Sequence, residues 1–150
     1  MLTSTNSCGL SDEVGATHHY LGRKATFANI NTAGNCLSSD GTSAVSFGDL
    51  PTGVLATTCV WFSSGVAKES DVQFNKADYT WTTNPGAASC SKQWSVKTVM
   101  THERGHTFGL GHVGEGTHGN LTMSPTLNGP CQDSEVTLGQ GDVLGLRAMY

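Results

Sequence analysis

The stretch His102-Glu103-Arg104-Gly105-His106-Thr107-Phe108-Gly109-Leu110-Gly111-His112 has the spacing of a metal site. On an α-helix, residues four apart lie one above the other on the same face. His102 and His106 can therefore turn a ring nitrogen each towards one ion, at the ~2.0–2.1 Å that zinc–imidazole bonds require. Glu103 sits one position round the helix, poorly placed to share the ion but well placed to take a proton from a water beside it. Gly109 is expected to end the helix, because a residue without Cβ takes the left-handed conformation that turns a chain back. That turn returns His112 as third ligand. Three protein ligands leave a fourth position open, the mark of a catalytic rather than a structural zinc.

Residue frequencies put the chance occurrence of the full spacing at roughly one in ten thousand or less. A rival pattern overlaps it, since Gly109, Gly111 and Gly114 spell G-x-G-x-x-G. That dinucleotide fingerprint needs a strand before it and a helix after it. Here a helix precedes and a polar loop follows, so nucleotide binding is rejected. His118 competes with His112 for the third ligand position, but it lies nine residues beyond Gly109 against three for His112.

The 150 residues suffice for one domain with a core, not two. With 13% charged residues and a net charge of −4, nothing points to nucleic acid or an anionic membrane as partner. No apolar run is long enough to span a bilayer. Five widely spaced cysteines (Cys8, Cys36, Cys59, Cys90 and Cys131) form no C-x-x-C pair, which favours disulfides in an oxidising compartment. Secretion is expected, although the polar start Met1-Leu2-Thr3-Ser4 is no signal peptide.

Residues 1–43 read as loops, with a short strand near Ala25 to Ile30. Cys8 and Cys36 are placed to close this apolar-poor region. His18 and His19 are neighbours in sequence and so point apart; both are expected on the surface. Ser43–Phe47, Gly53–Phe62 and Asp71–Asn75 read as strands from their alternation and β-branched content. Trp61, Trp81 and Trp94 are expected to pack in the core. A helix starting at a Ser91 or Ser95 cap carries the histidines, and a second, amphipathic helix closes the chain with Val143, Leu146 and Tyr150 on one stripe.

The histidine motif resembles that of the metzincin zinc peptidases, and three further stretches are similar to the matrixin family within that clan. The strand beginning Gly53-Val54-Leu55-Ala56 is similar to the matrixin edge strand, which pairs with extended substrate; Leu55 and Ala56 would border the cleft. Met123, in Met123-Ser124-Pro125, fits the methionine turn that floors the three histidines. Pro125 stands where other metzincin families place a tyrosine ligand. Asp142 matches the acid that braces that turn, whereas Gly141 replaces the acid that pairs with a mature N-terminal amine. Residues 126–137 would wall the pocket for the side chain that follows the cut bond. The family's arrangement of loops implies a Cys90–Cys131 disulfide, leaving Cys59 as the odd cysteine.

The resemblance covers about residues 43–150 and implies an α+β fold. It comprises a twisted mixed sheet with an antiparallel edge strand, an active-site helix, the methionine turn and a C-terminal helix, in a single catalytic domain. Residues 1–42 are loop-rich and poorly matched. The first strand and long backing helix of metzincins have no counterpart: either the chain lacks them or residues 1–40 replace them differently. The implied cofactor is one catalytic zinc; structural zinc and calcium sites find no match. The implied activity is that of a secreted, monomeric zinc endopeptidase acting on protein or peptide substrates with Glu103 as general base. The alternative is a zinc-binding interaction module that does not cut, which an intact Glu103 disfavours.

Overall fold

The computed structural model describes residues 8–10 and 19–150, and two parts of the chain are each compact in themselves: residues 21–80, and residues 81–150 together with the described part of 1–20. The first holds the three strands β1 (Val45–Gly48), β2 (Ala56–Ser63) and β3 (Val66–Asn75), in the order β1-β3-β2. β1 runs parallel to β3 and β2 antiparallel to it, so the sheet is mixed with an antiparallel edge strand. A two-residue turn, Ser64-Gly65, joins β2 to β3; both residues have positive φ, as a type I′ hairpin turn requires. β2 and β3 extend further towards this turn than the hydrophobic runs suggested, because cross-strand pairing continues through Ser63 and Val66.

Central strand β3 is buried along Glu69–Asn75, yet five of those seven residues are polar. Side chains alternate across a strand, and the odd-numbered ones serve as anchors for loops. The Glu69 carboxylate accepts from the Ser39 hydroxyl (2.5 Å) and from the backbone N–H groups of Asp40 (3.3 Å) and Gly41 (2.6 Å). Asp71 accepts from Asn29 N–H (2.6 Å) and Ala44 N–H (2.7 Å). Gln73 donates to the Asp49 carbonyl (3.2 Å), and Asn75 to the Val54 carbonyl (2.9 Å). The even-numbered Val72 and Phe74 are apolar, with the Phe47 ring 5.3 Å from that of Phe74.

Cys59 lies opposite Asp71 on the anchoring face, and its disulfide goes to Cys36. This corrects the expected Cys8–Cys36 bridge and the unpaired Cys59. The physical reason lies in the anchors: Glu69 and Asp71 hold residues 29–44 over β2 and β3, which brings Cys36 onto Cys59. Ala28, Ile30, Leu50 and Cys59 form the apolar cluster there; Trp61 packs against it and donates its indole N–H to the Leu37 carbonyl (3.1 Å). The strand expected near residues 25–30 does not form. Ile30 makes only an isolated bridge to Cys36.

In the second part, β4 (Thr80–Thr82) pairs with β5 (Gln93–Ser95), which leads directly into α1 (Val96–Thr107). Ser95 is the cap, its hydroxyl accepting Thr98 N–H (3.2 Å). α1 is followed by the single-turn α2 (Glu115–His118) and then α3 (Gln140–Met149). Leu138, Val143 and Leu146 form the core beneath α3, with Leu10, Phe108 and Leu110 packed on it. Cys8 is half-buried against the same cluster and belongs to neither disulfide. Tyr150, expected on the buried stripe, is instead 56% exposed, its hydroxyl donating to the Phe108 carbonyl. The second disulfide is Cys90–Cys131, as the resemblance implies. His19 is exposed; His18 and the N-terminal amine lie outside the described residues.

Candidate metal centre

α1 presents His102 and His106 on one face, and its end is shaped so that His112 comes back to them. Gly109 has φ +92°, its N–H donates to the His106 carbonyl (2.9 Å), and Leu110 N–H donates to the Gly105 carbonyl (2.9 Å). This pair of bonds is the Schellman arrangement that reverses a chain at a helix end. Beyond it, Val113 N–H donates to the Met123 carbonyl (3.0 Å), which anchors the chain immediately after His112.

The three Nε2 atoms stand 3.1–3.2 Å from one another. Ligands of a tetrahedral zinc, with bonds of ~2.0–2.1 Å, stand about 3.3–3.4 Å apart, so the donor set fits the ion. Two of the rings are oriented from behind. His102 Nδ1 is 2.7 Å from the Thr122 carbonyl and His106 Nδ1 is 2.9 Å from the Leu110 carbonyl. A carbonyl can only accept, so each Nδ1 carries the proton and each Nε2 keeps its lone pair for a metal. Burial holds His102 below the ordinary histidine range, at about 4, with its two histidine neighbours adding to the effect; burial also lowers His112. Both shifts favour the neutral, ligating form. His102, His106 and His112 are the metal-ligand cluster found among the described residues; His118 stands outside it, exposed.

Glu103 is 5% exposed, in the same helical turn as His102. Met123 is 1% exposed, and its sulfur lies so close to Gly105 that a Cβ there would stand 2.1 Å from it. Gly105 is thus the position where the methionine turn touches the ligand-bearing helix. Its role went unread in the sequence, although a glycine inside a helix is itself a signal, since it costs about 1 kcal/mol against alanine. The carboxylate of Asp142 accepts from the backbone of Gly139 (2.9 Å), Thr122 and Met123; burial raises its pKa, and these bonds partly offset the rise. Thr122 was also unread. Its carbonyl holds His102, and its hydroxyl donates to the Thr137 carbonyl (2.8 Å). No local pattern marks such a residue.

The structure therefore brings together His102, Glu103, His106, Gly109, His112, Met123 and Asp142 within residues 81–150. Leu55 and Ala56 belong to the other compact part, where Ala56 opens the edge strand β2 and the Leu55 carbonyl accepts from Asn75 N–H. A search of curated proteins and one of solved structures returned no match. The family model for the matrixin peptidases matches residues 37–150. It starts slightly before the stretch that the motifs alone matched and takes in the later part of the segment that Glu69 and Asp71 anchor, including Ser39, Asp40, Gly41 and Ala44. A match over most of the chain, spanning the histidine cluster of zinc dimensions, places this protein in the matrixin family of zinc metallopeptidases.

Proposed function

We propose that the protein is a secreted endopeptidase that hydrolyses peptide bonds with Glu103 as general base. The observation that carries this is the convergence of three Nε2 atoms at 3.1–3.2 Å, with the His102 and His106 rings fixed by backbone carbonyls. His102, His106 and His112 would hold the zinc. When bound, the metal supplies a Lewis acid that polarises the scissile carbonyl and lowers the pKa of water towards ~7. Glu103 accepts the proton of the attacking water and returns it to the leaving amine nitrogen, so that one carboxylate serves both halves of the reaction. Met123, pressed against Gly105 and held through Asp142, keeps the floor of the site dry and the histidine-bearing turn in place. Leu55 and Ala56, at the sheet edge, would pair with an extended peptide through backbone groups.

Secretion is supported by the two disulfides, and no helix among the described residues is long and apolar enough to cross a membrane. The test is cleavage of an unstructured protein such as casein by the zinc-loaded protein, with a chelator control and with Glu103→Ala. Activity is expected only without chelator and only with Glu103 present, while Glu103→Ala still binds one zinc. Full turnover in that variant would overturn the assignment of the base.

A further inference from the structure

Residues 19–27, His19-Tyr20-Leu21-Gly22-Arg23-Lys24-Ala25-Thr26-Phe27, form neither helix nor strand. All but the half-buried Thr26 are exposed, Tyr20 at 77%, Leu21 at 73% and Phe27 at 69%. No hydrogen bond joins these residues to one another or to any other described residue. Other irregular stretches are tied down: Glu69 and Asp71 hold residues 29–44, and Glu135 and the Cys90–Cys131 bridge hold residues 128–131. None of the residues 19–27 is proline, so every backbone N–H and C=O of the stretch can serve a partner.

A groove that binds peptide as an added strand pairs backbone with backbone. A segment already paired within its own fold must first break those bonds, and only its open fraction is cut. Residues 19–27 have no such bonds to break, and they offer large apolar side chains beside an open backbone. Given the peptidase activity proposed above, we propose that this stretch is a substrate of the enzyme itself: one copy hydrolyses a bond within residues 19–27 of another, and the cut shuts the second copy down. The peptide C–N bond breaks and one water is consumed, its hydroxyl passing to the carbonyl carbon and its proton to the leaving nitrogen.

The shut-off follows from what lies upstream of the cut. Cys8 and Leu10 pack on Leu138, Val143 and Leu146, the core beneath α3. Neither disulfide includes Cys8, so after the cut no covalent bond holds the upstream piece. Its local concentration falls from the roughly millimolar value of a short tether to that of the free peptide. Departure of Cys8 and Leu10 uncovers the core on which α3 rests. α3 carries Asp142, whose carboxylate holds the backbone of Gly139, Thr122 and Met123, and the Thr122 carbonyl in turn orients His102. Loss of the piece therefore reaches the histidine cluster through α3.

Two experiments on the full chain test this. In the first, zinc-loaded wild type is incubated with isotopically heavy Glu103→Ala protein, with casein as control substrate, and intact masses are read. The heavy chain should be cut first at a bond within residues 19–27. In the second, zinc-loaded Glu103→Ala protein is nicked with trypsin, which cuts after lysine and arginine. Cleavage after Arg23 or Lys24 should come first, the upstream piece should separate on gel filtration, and zinc affinity should fall by about tenfold or more. Casein cut while residues 19–27 of the heavy chain stay whole would overturn self-cleavage and leave the peptidase intact. Neither substrate cut with zinc bound would sink the peptidase, and self-cleavage with it. A first tryptic cut elsewhere would show that the stretch is not open to a peptidase. A nicked protein that keeps its upstream piece, or its zinc affinity, would overturn the shut-off.

Discussion

Gly105 and Met123 meet beside the histidine cluster with no room for a single added carbon. Gly105→Ala removes a helix-destabilising glycine and would ordinarily add about 1 kcal/mol of stability. Here the new methyl would collide with the Met123 sulfur, so the expected outcome is the opposite sign: a loss of about 1–3 kcal/mol, the usual range for overpacking, together with weakened zinc affinity. Thermal melts and a zinc competition assay would check it, and a stabilised protein with unchanged affinity would show that the turn gives way freely. His102 allows a second prediction at this scale. Its folded value of about 4 lies below the ordinary 6.5, so folding favours the neutral ring. That contribution is complete above pH 6.5 and is lost as pH falls towards 4. Metal-free protein should therefore lose about 2 kcal/mol between pH 7 and 5 from this group. Urea midpoints at the two pH values would measure the loss, and His102→Gln, which cannot take up the proton, should show a correspondingly smaller one.

At the scale of elements, β3 is a central strand whose buried polar residues hold loops in place. Asp71 accepts two backbone N–H groups, whereas an asparagine offers one acceptor oxygen and would turn an N–H₂ towards a donor. Asp71→Asn should accordingly cost about 1–3 kcal/mol in spite of its near-identical shape. A denaturation curve superimposable on the wild type would show that residues 29 and 44 are held by other contacts. These same anchors explain what the sequence could not disclose. The histidine cluster was legible because its logic is local: His102 and His106 lie a turn apart, Gly109 reverses the chain, and His112 follows within three residues. Met123 and Asp142 were legible only through their resemblance to a known pattern. The Cys36–Cys59 pairing was illegible, because it depends on Glu69 and Asp71 drawing an irregular segment over strands some thirty to forty residues further on. Nothing local in the sequence marks those acids as buried anchors.

At the scale of the whole molecule, the histidine cluster and the groups that hold the mixed sheet are supplied by different stretches of chain. All three histidines of the cluster lie within residues 102–112, and their supports, Leu110, Thr122, Met123 and Asp142, also lie beyond residue 80. Residues 21–80 have their own apolar cluster, carboxylate anchors and disulfide. A ligand that binds only the folded state stabilises by RT ln(1 + [L]/Kd), about 4 kcal/mol at a thousandfold excess over Kd. Zinc should therefore raise the melting temperature in a concentration-dependent way, and chelation should reverse the rise. Hydrogen exchange would show where that stability resides. On chelation, the amides of α1, the 109–113 turn and residues 121–124 should lose protection, because a bound metal would join the end of the helix to the returning chain. The amides of β2 and β3, whose hydrogen bonds and anchors involve no metal ligand, should keep theirs. Loss of protection in β2 and β3 to the same degree as in α1 would mean that the metal supports the chain as one cooperative unit, and that the anchors on β3 do not hold the sheet without it.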